Sequence, residues 1–122
     1  METKNAVLAG EYYRLVGEKN AKEVEKLLHS DVEFHGPLAT LKGKEAVIKA
    51  TSNFMKMFKS LTIRAKFGAK DQAMVVYDVD IPGMSEAFPG ASLLTIKGGR
   101  VARIELFYDG SRFIEKKEEV FS

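Results

Sequence analysis

The chain has 122 residues, of which 19 are Lys or Arg and 17 are Asp or Glu, so its formal charge is +2. A chain of this size is expected to form one domain around a single core. It contains no cysteine and two histidines, which excludes disulfides and thiolate sites and argues against a histidine-rich metal centre. Its charges are interspersed and lack the basic clustering that marks nucleic-acid binding.

The sequence also argues against export and membrane insertion. The first residues are METKNAVLAGEYY, in which charged residues interrupt the apolar ones. A secretory signal would contain an uninterrupted apolar segment. No apolar run approaches the roughly 20 residues that cross a membrane. We therefore expect a cytoplasmic protein without a nucleic-acid or membrane partner.

Three helices are predicted in the first half of the chain. Residues 4–18 place apolar side chains at spacings of three and four, with Tyr12 on that stripe. The sequence NAKE is a capping-box pattern that begins a short second helix, with His29 in its last turn. A third helix over about residues 43–60 is the longest and most apolar, and we expect the sheet to wrap most deeply around it.

The remaining segments predict strands. DVEFH alternates apolar and polar residues between the second and third helices, and Pro37 ends it. Gly98-Gly99 indicates a tight hairpin in the second half of the chain. The order of these elements predicts a single α+β domain over residues 1–122, with three N-terminal helices packed on a curled, mostly antiparallel sheet. The polar tail from about residue 111 is predicted to be frayed or to form a short helix. The four later strands cover residues 61–67, 72–81, 91–96 and 101–108.

Three segments carry a resemblance to a known family. SDVEFHGP, LKGKEAVIKATSNF and LLTIKGGRVARIELFYD, in that order, resemble the SnoaL-like and ketosteroid isomerase-like group of the nuclear transport factor 2-like superfamily. The likeness covers about residues 5–109. It implies a conical α+β barrel with a deep, largely apolar pocket, commonly in a homodimer. It does not by itself define a reaction, because one fold hosts many functions.

The resemblance also tests one mechanism. Ketosteroid isomerases use an aspartate base, a tyrosine and a protonated aspartate. Aligned through HGP, the base position is Gly36, and aligned through LLTIKGG, the second aspartate position is Ser92. Tyr12 alone falls at a matching position, so we do not carry the isomerase activity over.

Two residues are the best candidates for chemistry. A buried Tyr12 hydroxyl would donate a hydrogen bond to a ligand oxygen, or it would bond a backbone carbonyl as an ordinary core tyrosine. Tyr13 is expected to face outward. His35 would act as a general base if the strand end turned it toward the pocket. Because it alternates with Val32 and Phe34, a surface or dimer-contact role is the expectation for His35.

Alternation along the strands predicts an apolar cavity with a few hydroxyl groups, a combination typical of small-molecule sites. Asp78 and Asp80 share an outward face and lack further ligands nearby, so no metal site and no cofactor are predicted. The predicted pocket-lining residues are Tyr12, Phe34, Phe54, Phe58, Val75, Tyr77, Ser92, Leu94, Ile104 and Tyr108.

The opposite face of the sheet carries Met74, Val76, Leu93 and Phe107. Apolar residues on such a convex face predict a covering partner, and we expect a homodimer through this face. The predicted function is binding of a small apolar molecule bearing a carbonyl or hydroxyl group. If the protein acts on that molecule, isomerisation, cyclisation or hydration is expected. The alternative is a non-catalytic binding or dimerisation module whose cavity is filled by its own side chains.

Overall fold

The computed structural model describes residues 3–84 and 86–109. It contains three helices and six strands, which confirms the predicted α+β class. The tail from residue 111 lies outside the described residues, so the prediction for it stands untested. The elements in chain order are α1 Lys4–Gly17, α2 Ala21–Leu27, β1 Leu28–His35, β2 Thr40–Lys42, α3 Lys44–Met55, β3 Ser60–Ala69, β4 Gln72–Asp80, β5 Phe88–Lys97 and β6 Arg100–Phe107.

The strands form one curled sheet in the order β2-β1-β6-β5-β4-β3. The β1/β6 pairing is parallel and the other pairings are antiparallel. β2 and β3 form its two edges, so the sheet curls without closing into a barrel. Gly98 and Gly99 have φ angles of 57° and 75° and form the predicted hairpin turn between β5 and β6.

Two boundaries near β1 differ from the prediction. β1 begins at Leu28, so His29 lies in the strand and not in a helix turn. Leu28 pairs with Val101 of β6 and is fully buried, and this pairing ends α2 earlier than its own sequence pattern predicts. The segment between Pro37 and α3, for which no helix or strand was predicted, contains the short strand β2, which pairs antiparallel with β1.

The helix wrapped most deeply by the sheet is α1, not α3. α3 ends at Met55, shorter than predicted, and its buried residues are Val47 and Met55. α1 buries two stripes, because it packs against β3 and β4 and also contacts α2 and α3. Its buried residues are Ala6, Ala9, Gly10, Tyr12, Tyr13, Leu15 and Val16.

A β-bulge changes the faces of β3. The pairing with β4 shifts register between Ile63 and Ala65, so one extra residue is inserted at Arg64. Beyond the bulge the alternation reverses, so Phe67, which uninterrupted alternation would place on the face of Ile63, points outward with 64% of its surface exposed. Lys66 instead faces α1, where its side chain lies against Gly10.

Candidate functional site

A cavity of about 90 Å³ lies between α1, α3 and the concave face of the sheet. Its inner wall is formed by buried side chains of α1, β4 and β6, and its rim by the partly exposed side chains of Phe34, Phe54 and Tyr108. The lining residues are Tyr12, Tyr13, Val16, Phe34, Val47, Ala50, Thr51, Phe54, Tyr77, Val79, Ile81, Phe88, Gly90, Ile104, Leu106 and Tyr108.

The structure brings part of the predicted pocket together. Tyr12, Phe34, Phe54, Tyr77, Ile104 and Tyr108 lie on the cavity wall. The other predicted lining residues, Phe58, Val75, Ser92 and Leu94, are buried in the surrounding core and do not line the cavity.

These four residues are buried for separate reasons. Phe58 packs on Phe54 at a ring-centroid distance of 4.9 Å, below the end of α3. Val75 and Leu94 face inward as the alternation predicts, but both are completely covered by core side chains. Ser92 is also fully buried and lies behind the tyrosine rings of the wall.

Tyr13, predicted to face outward, lies on the cavity wall with its ring 6% exposed. Ala6, Ala9, Gly10 and Tyr13 recur at helical spacing and form a second stripe of mostly small residues beside that of Tyr12. This pattern was the signal available in the sequence, since small residues allow a helix to approach a sheet closely.

His35 does not reach the cavity. It lies on the outward face of β1, and its Nε2 is 2.9 Å from Glu33 Oε1. That contact lowers the pKa of the Glu33 carboxyl group. Phe34, the next residue along the strand, lines the cavity in its place, so the proposed role of His35 as a base in the pocket finds no support in the geometry.

Two tyrosines of the cavity wall and the buried Ser92 behind them form a cluster of three hydroxyl groups. Tyr13 donates a hydrogen bond of 2.6 Å to Ser92 Oγ, and the Tyr77 hydroxyl lies 3.0 Å from the same oxygen. The rings of Tyr13 and Tyr77 stack with their centroids 4.8 Å apart. The cluster joins α1 to β4 and β5, and Ser92 is its centre.

Gly90 explains the position of the Tyr77 ring. The two residues face each other across β4 and β5. A Cβ atom at position 90 would lie 3.0 Å from Tyr77 Cε1, so the ring would have to move by a few tenths of an ångström. The absence of a side chain therefore lets the ring lie over the glycine backbone, which brings its hydroxyl to Ser92.

Tyr12 has a different partner. Its ring meets that of Tyr13 edge-on at 5.0 Å, and its hydroxyl has a side-chain hydrogen bond with Thr51. Thr51 Oγ1 in turn donates to the carbonyl of Val47 at 2.8 Å. The hydroxyls of Tyr12 and Tyr77 thus belong to separate hydrogen-bonded groups.

Burial keeps the inner tyrosines neutral. Desolvation raises the pKa of Tyr12 and Tyr13 well above the ordinary value, and it raises the pKa of Tyr77 to about 12 although the hydrogen bonds that Tyr77 shares with Ser92 and Tyr13 oppose the shift. Among the described residues, the cavity wall contains no carboxylate, imidazole, ammonium or guanidinium group. Within these same residues, no group of three acidic, cysteine or histidine side chains could hold a metal ion.

These pKa shifts predict a loss of stability in alkali. Unfolded tyrosine ionises near about pH 10, whereas Tyr12, Tyr13 and Tyr77 keep their protons in the folded state. The folded state then binds more protons, so the free energy of unfolding falls as pH rises above about 10, by up to about 1.4 kcal/mol per pH unit for each group. Denaturant unfolding at a series of pH values measures this slope, and Tyr13→Phe should reduce it. Reversible ionisation of every tyrosine near the ordinary pKa without unfolding, followed by tyrosinate absorbance, would contradict the assignment.

Among the described residues, no helix is both long and apolar enough to span a membrane. No curated protein matches this sequence.

Solved structures share the fold at low sequence identity. A protein from Kribbella flavida is 19% identical with a TM-score of 0.86, and the match covers 96% of each chain. A steroid delta-isomerase from Pseudomonas aeruginosa is 17% identical with a TM-score of 0.79, covering 98% of this chain and 90% of the other. A candidate polyketide cyclase from Pseudomonas putida is 17% identical with a TM-score of 0.78, covering 93% and 97%. These likenesses establish the fold and not a shared reaction.

The family model of the SnoaL-like domain matches residues 9–104. That range begins inside α1 and ends inside β6, and it includes most of the elements that form the cavity. Together with the isomerase-like and nuclear transport factor 2-like folds of its structural neighbours, this match shows that the chain belongs to the SnoaL-like domain family.

Proposed function

We propose that this protein binds a small, uncharged, largely apolar molecule in the cavity, with a carbonyl or hydroxyl oxygen at the hydroxyl cluster. The observation that carries the proposal is the composition of the described wall, which combines aliphatic and aromatic side chains with neutral hydroxyl groups. Small-molecule sites typically have apolar walls with a few placed polar groups. An ion would lose its hydration there without gaining an opposite charge.

The cavity volume limits the ligand to about one ring. Pockets for drug-sized ligands typically measure about 300–1,000 Å³, whereas this cavity measures about 90 Å³. An engineered apolar cavity of about 150 Å³ in another protein binds benzene. This cavity is smaller than that one, so a single ring or a short chain is the upper limit of the ligand size, and a steroid would require the rim to open.

The described wall favours binding over proton transfer. Enzymes that move protons normally place a group of tuned pKa against the substrate, and the tyrosines here stay neutral. The structural neighbours include an isomerase and a candidate cyclase. Isomerisation, cyclisation or hydration therefore remain the reaction classes to assay once a ligand is known.

Filling the cavity should abolish binding. We expect single-ring ligands such as toluene to raise the melting temperature, and a ligand at about 100 times its dissociation constant adds about 2.7 kcal/mol, or roughly ten degrees for a domain of this size. Ala50→Phe places a ring in the cavity and should remove the shift. Ala46→Phe lies one turn away on α3, outside the wall, and should retain it.

The screen should include a two-ring molecule and a steroid, for which we expect smaller shifts. A steroid shift without any single-ring shift would contradict the size limit. If no ligand gives a shift in the wild-type protein, the alternative module with a filled cavity is the better description.

We also propose that the convex face of the sheet pairs with a second copy of this chain. Phe67, Met74 and Leu93 are neighbours across three strands, and the next row contains Val76 and Phe107. Phe67 is 64% exposed and Phe107 is 52% exposed, so the patch is accessible and continuous. The ion pairs that border it contain both charge signs, which suits a self-complementary two-fold contact. Those pairs are Arg64–Asp78 and Arg103–Glu105.

A charge on this face should dissociate the dimer. Phe107→Glu would bury an unpaired carboxylate, and we expect the dimer dissociation constant to rise on the order of a hundredfold. Val7→Glu changes an apolar residue of similar exposure, 50%, on the helical side and is the matched control. Sedimentation equilibrium distinguishes the two. A monomeric wild-type protein, or equal effects of both substitutions, would contradict the proposed interface.

A further inference from the structure

The hydroxyl cluster uses all of its hydrogens within itself. Tyr13 donates to Ser92 Oγ at 2.6 Å, and the Tyr77 hydroxyl lies 3.0 Å from the same oxygen. The hydroxyls of Tyr13 and Tyr77 also share a hydrogen bond. Three hydroxyl groups carry three hydrogens, and each of the three bonds uses one of them. This count is the same whichever way donation runs around the cluster, so no hydrogen of the cluster is left for a ligand.

A second count gives the same result at Tyr12. Thr51 Oγ1 donates its hydrogen to the carbonyl of Val47 at 2.8 Å. In the hydrogen bond between Thr51 and Tyr12, the Thr51 oxygen must therefore accept, and the hydrogen of Tyr12 is used. Tyr12 would have to break this bond before it could donate to a ligand.

The oxygens of these groups keep the capacity to accept. Tyr12, Tyr13 and Tyr77 lie on the cavity wall. In the cluster three oxygens accept three bonds, whereas a hydroxyl oxygen accepts up to about two. A ligand that brings its own hydrogen therefore finds an acceptor on the inner wall, and a ligand that brings only an acceptor finds no hydroxyl donor among these groups.

We propose that these inner-wall hydroxyls accept hydrogen bonds and do not donate them, so that the ligand is an alcohol or phenol of about one ring and not a ketone or aldehyde. This inference rests on the proposed function and narrows its ligand class. A carbonyl oxygen in this position would lose its hydrogen bonds to water without replacement. Tyr108 lies at the rim, partly exposed, and is outside this count.

The test compares cyclohexanol with cyclohexanone, which are close in size but differ in whether they bring a hydroxyl hydrogen. The readout is the ratio of their dissociation constants in each variant relative to the wild-type protein, so the difference in hydration of the two probes cancels. Ser92→Ala leaves two hydroxyls that share one bond, which frees one hydrogen beside the cavity. We expect the ratio to shift toward the ketone by roughly threefold to tenfold, the value of one net hydrogen bond. Ser30→Ala, at an exposed serine of β1, is the matched control and should not change the ratio.

Two variants at one hydrogen bond separate this count from a general disturbance of the wall. Thr51→Val removes the acceptor and frees the hydrogen of Tyr12, so we expect a similar gain for the ketone. Tyr12→Phe breaks the same bond but removes the hydrogen together with the hydroxyl, so we expect no gain. If Ser92→Ala does not fold, this pair still decides, because it does not involve the cluster.

The carbonyl stretching frequency of bound cyclohexanone gives an independent readout. At saturation we expect a frequency near that in an apolar solvent for the wild-type protein, and a lowered frequency for Ser92→Ala and Thr51→Val. Tyr108→Phe is measured alongside them. A lowered wild-type frequency that returns to the apolar value in Tyr108→Phe places the donor at the rim and supports the count, whereas one that persists in Tyr108→Phe would overturn the proposal.

The remaining outcomes separate this inference from the proposed function. Equal gains for the ketone in Thr51→Val and Tyr12→Phe, or no gain in either Ser92→Ala or Thr51→Val, would overturn the inference while leaving a binding cavity in place. Binding of neither probe to the wild-type protein would remove the proposed function and this inference together.

Discussion

The fold depends on how one buried hydroxyl is satisfied. Ser92 is the buried polar side chain of the described core, and a polar group in that position must find its hydrogen-bond partners within the protein. Its partners are Tyr13 of α1 and Tyr77 of β4, which lie 79 and 15 residues from Ser92 in the sequence. The contact therefore holds α1 against the concave face of the sheet and places a small polar group beside an otherwise apolar cavity.

Much of this arrangement follows from the sequence. The alternation of β4 and β5 predicts that Val75, Tyr77, Ser92 and Leu94 face inward, and the structure places all four there. Alternation cannot tell whether an inward residue reaches a cavity or is covered by its neighbours. That depends on the packing of the helix, which explains why Tyr77 lies on the wall and Ser92 behind it.

Other features depend on contacts that local patterns do not contain. A single inserted residue at the β3 bulge reverses the faces of Lys66 and Phe67, and no glycine or proline marks it. Tyr13 is buried because the sheet covers a second stripe of α1, which an analysis of one amphipathic stripe misses.

The chain keeps the fold of its family but lacks the residues that one family reaction, ketosteroid isomerisation, requires. The two positions aligned with the isomerase aspartates hold Gly36 and Ser92, and the candidate base His35 faces away from the cavity. What remains is a largely apolar cavity whose described wall contains neutral hydroxyl groups and no charged side chain. Such a site does little to stabilise charge on a carbonyl oxygen, because it offers no positive charge.

The most direct measurement of the central claim is a set of intermolecular nuclear Overhauser effects between cyclohexanol and the isotopically labelled protein. The account predicts contacts from the ring protons to Tyr77, Ile104 and Phe54 on the cavity wall, and none to Leu93 or Phe107 on the convex face. Contacts confined to the convex face, or none at concentrations that saturate a thermal shift, would contradict a ligand site in the cavity.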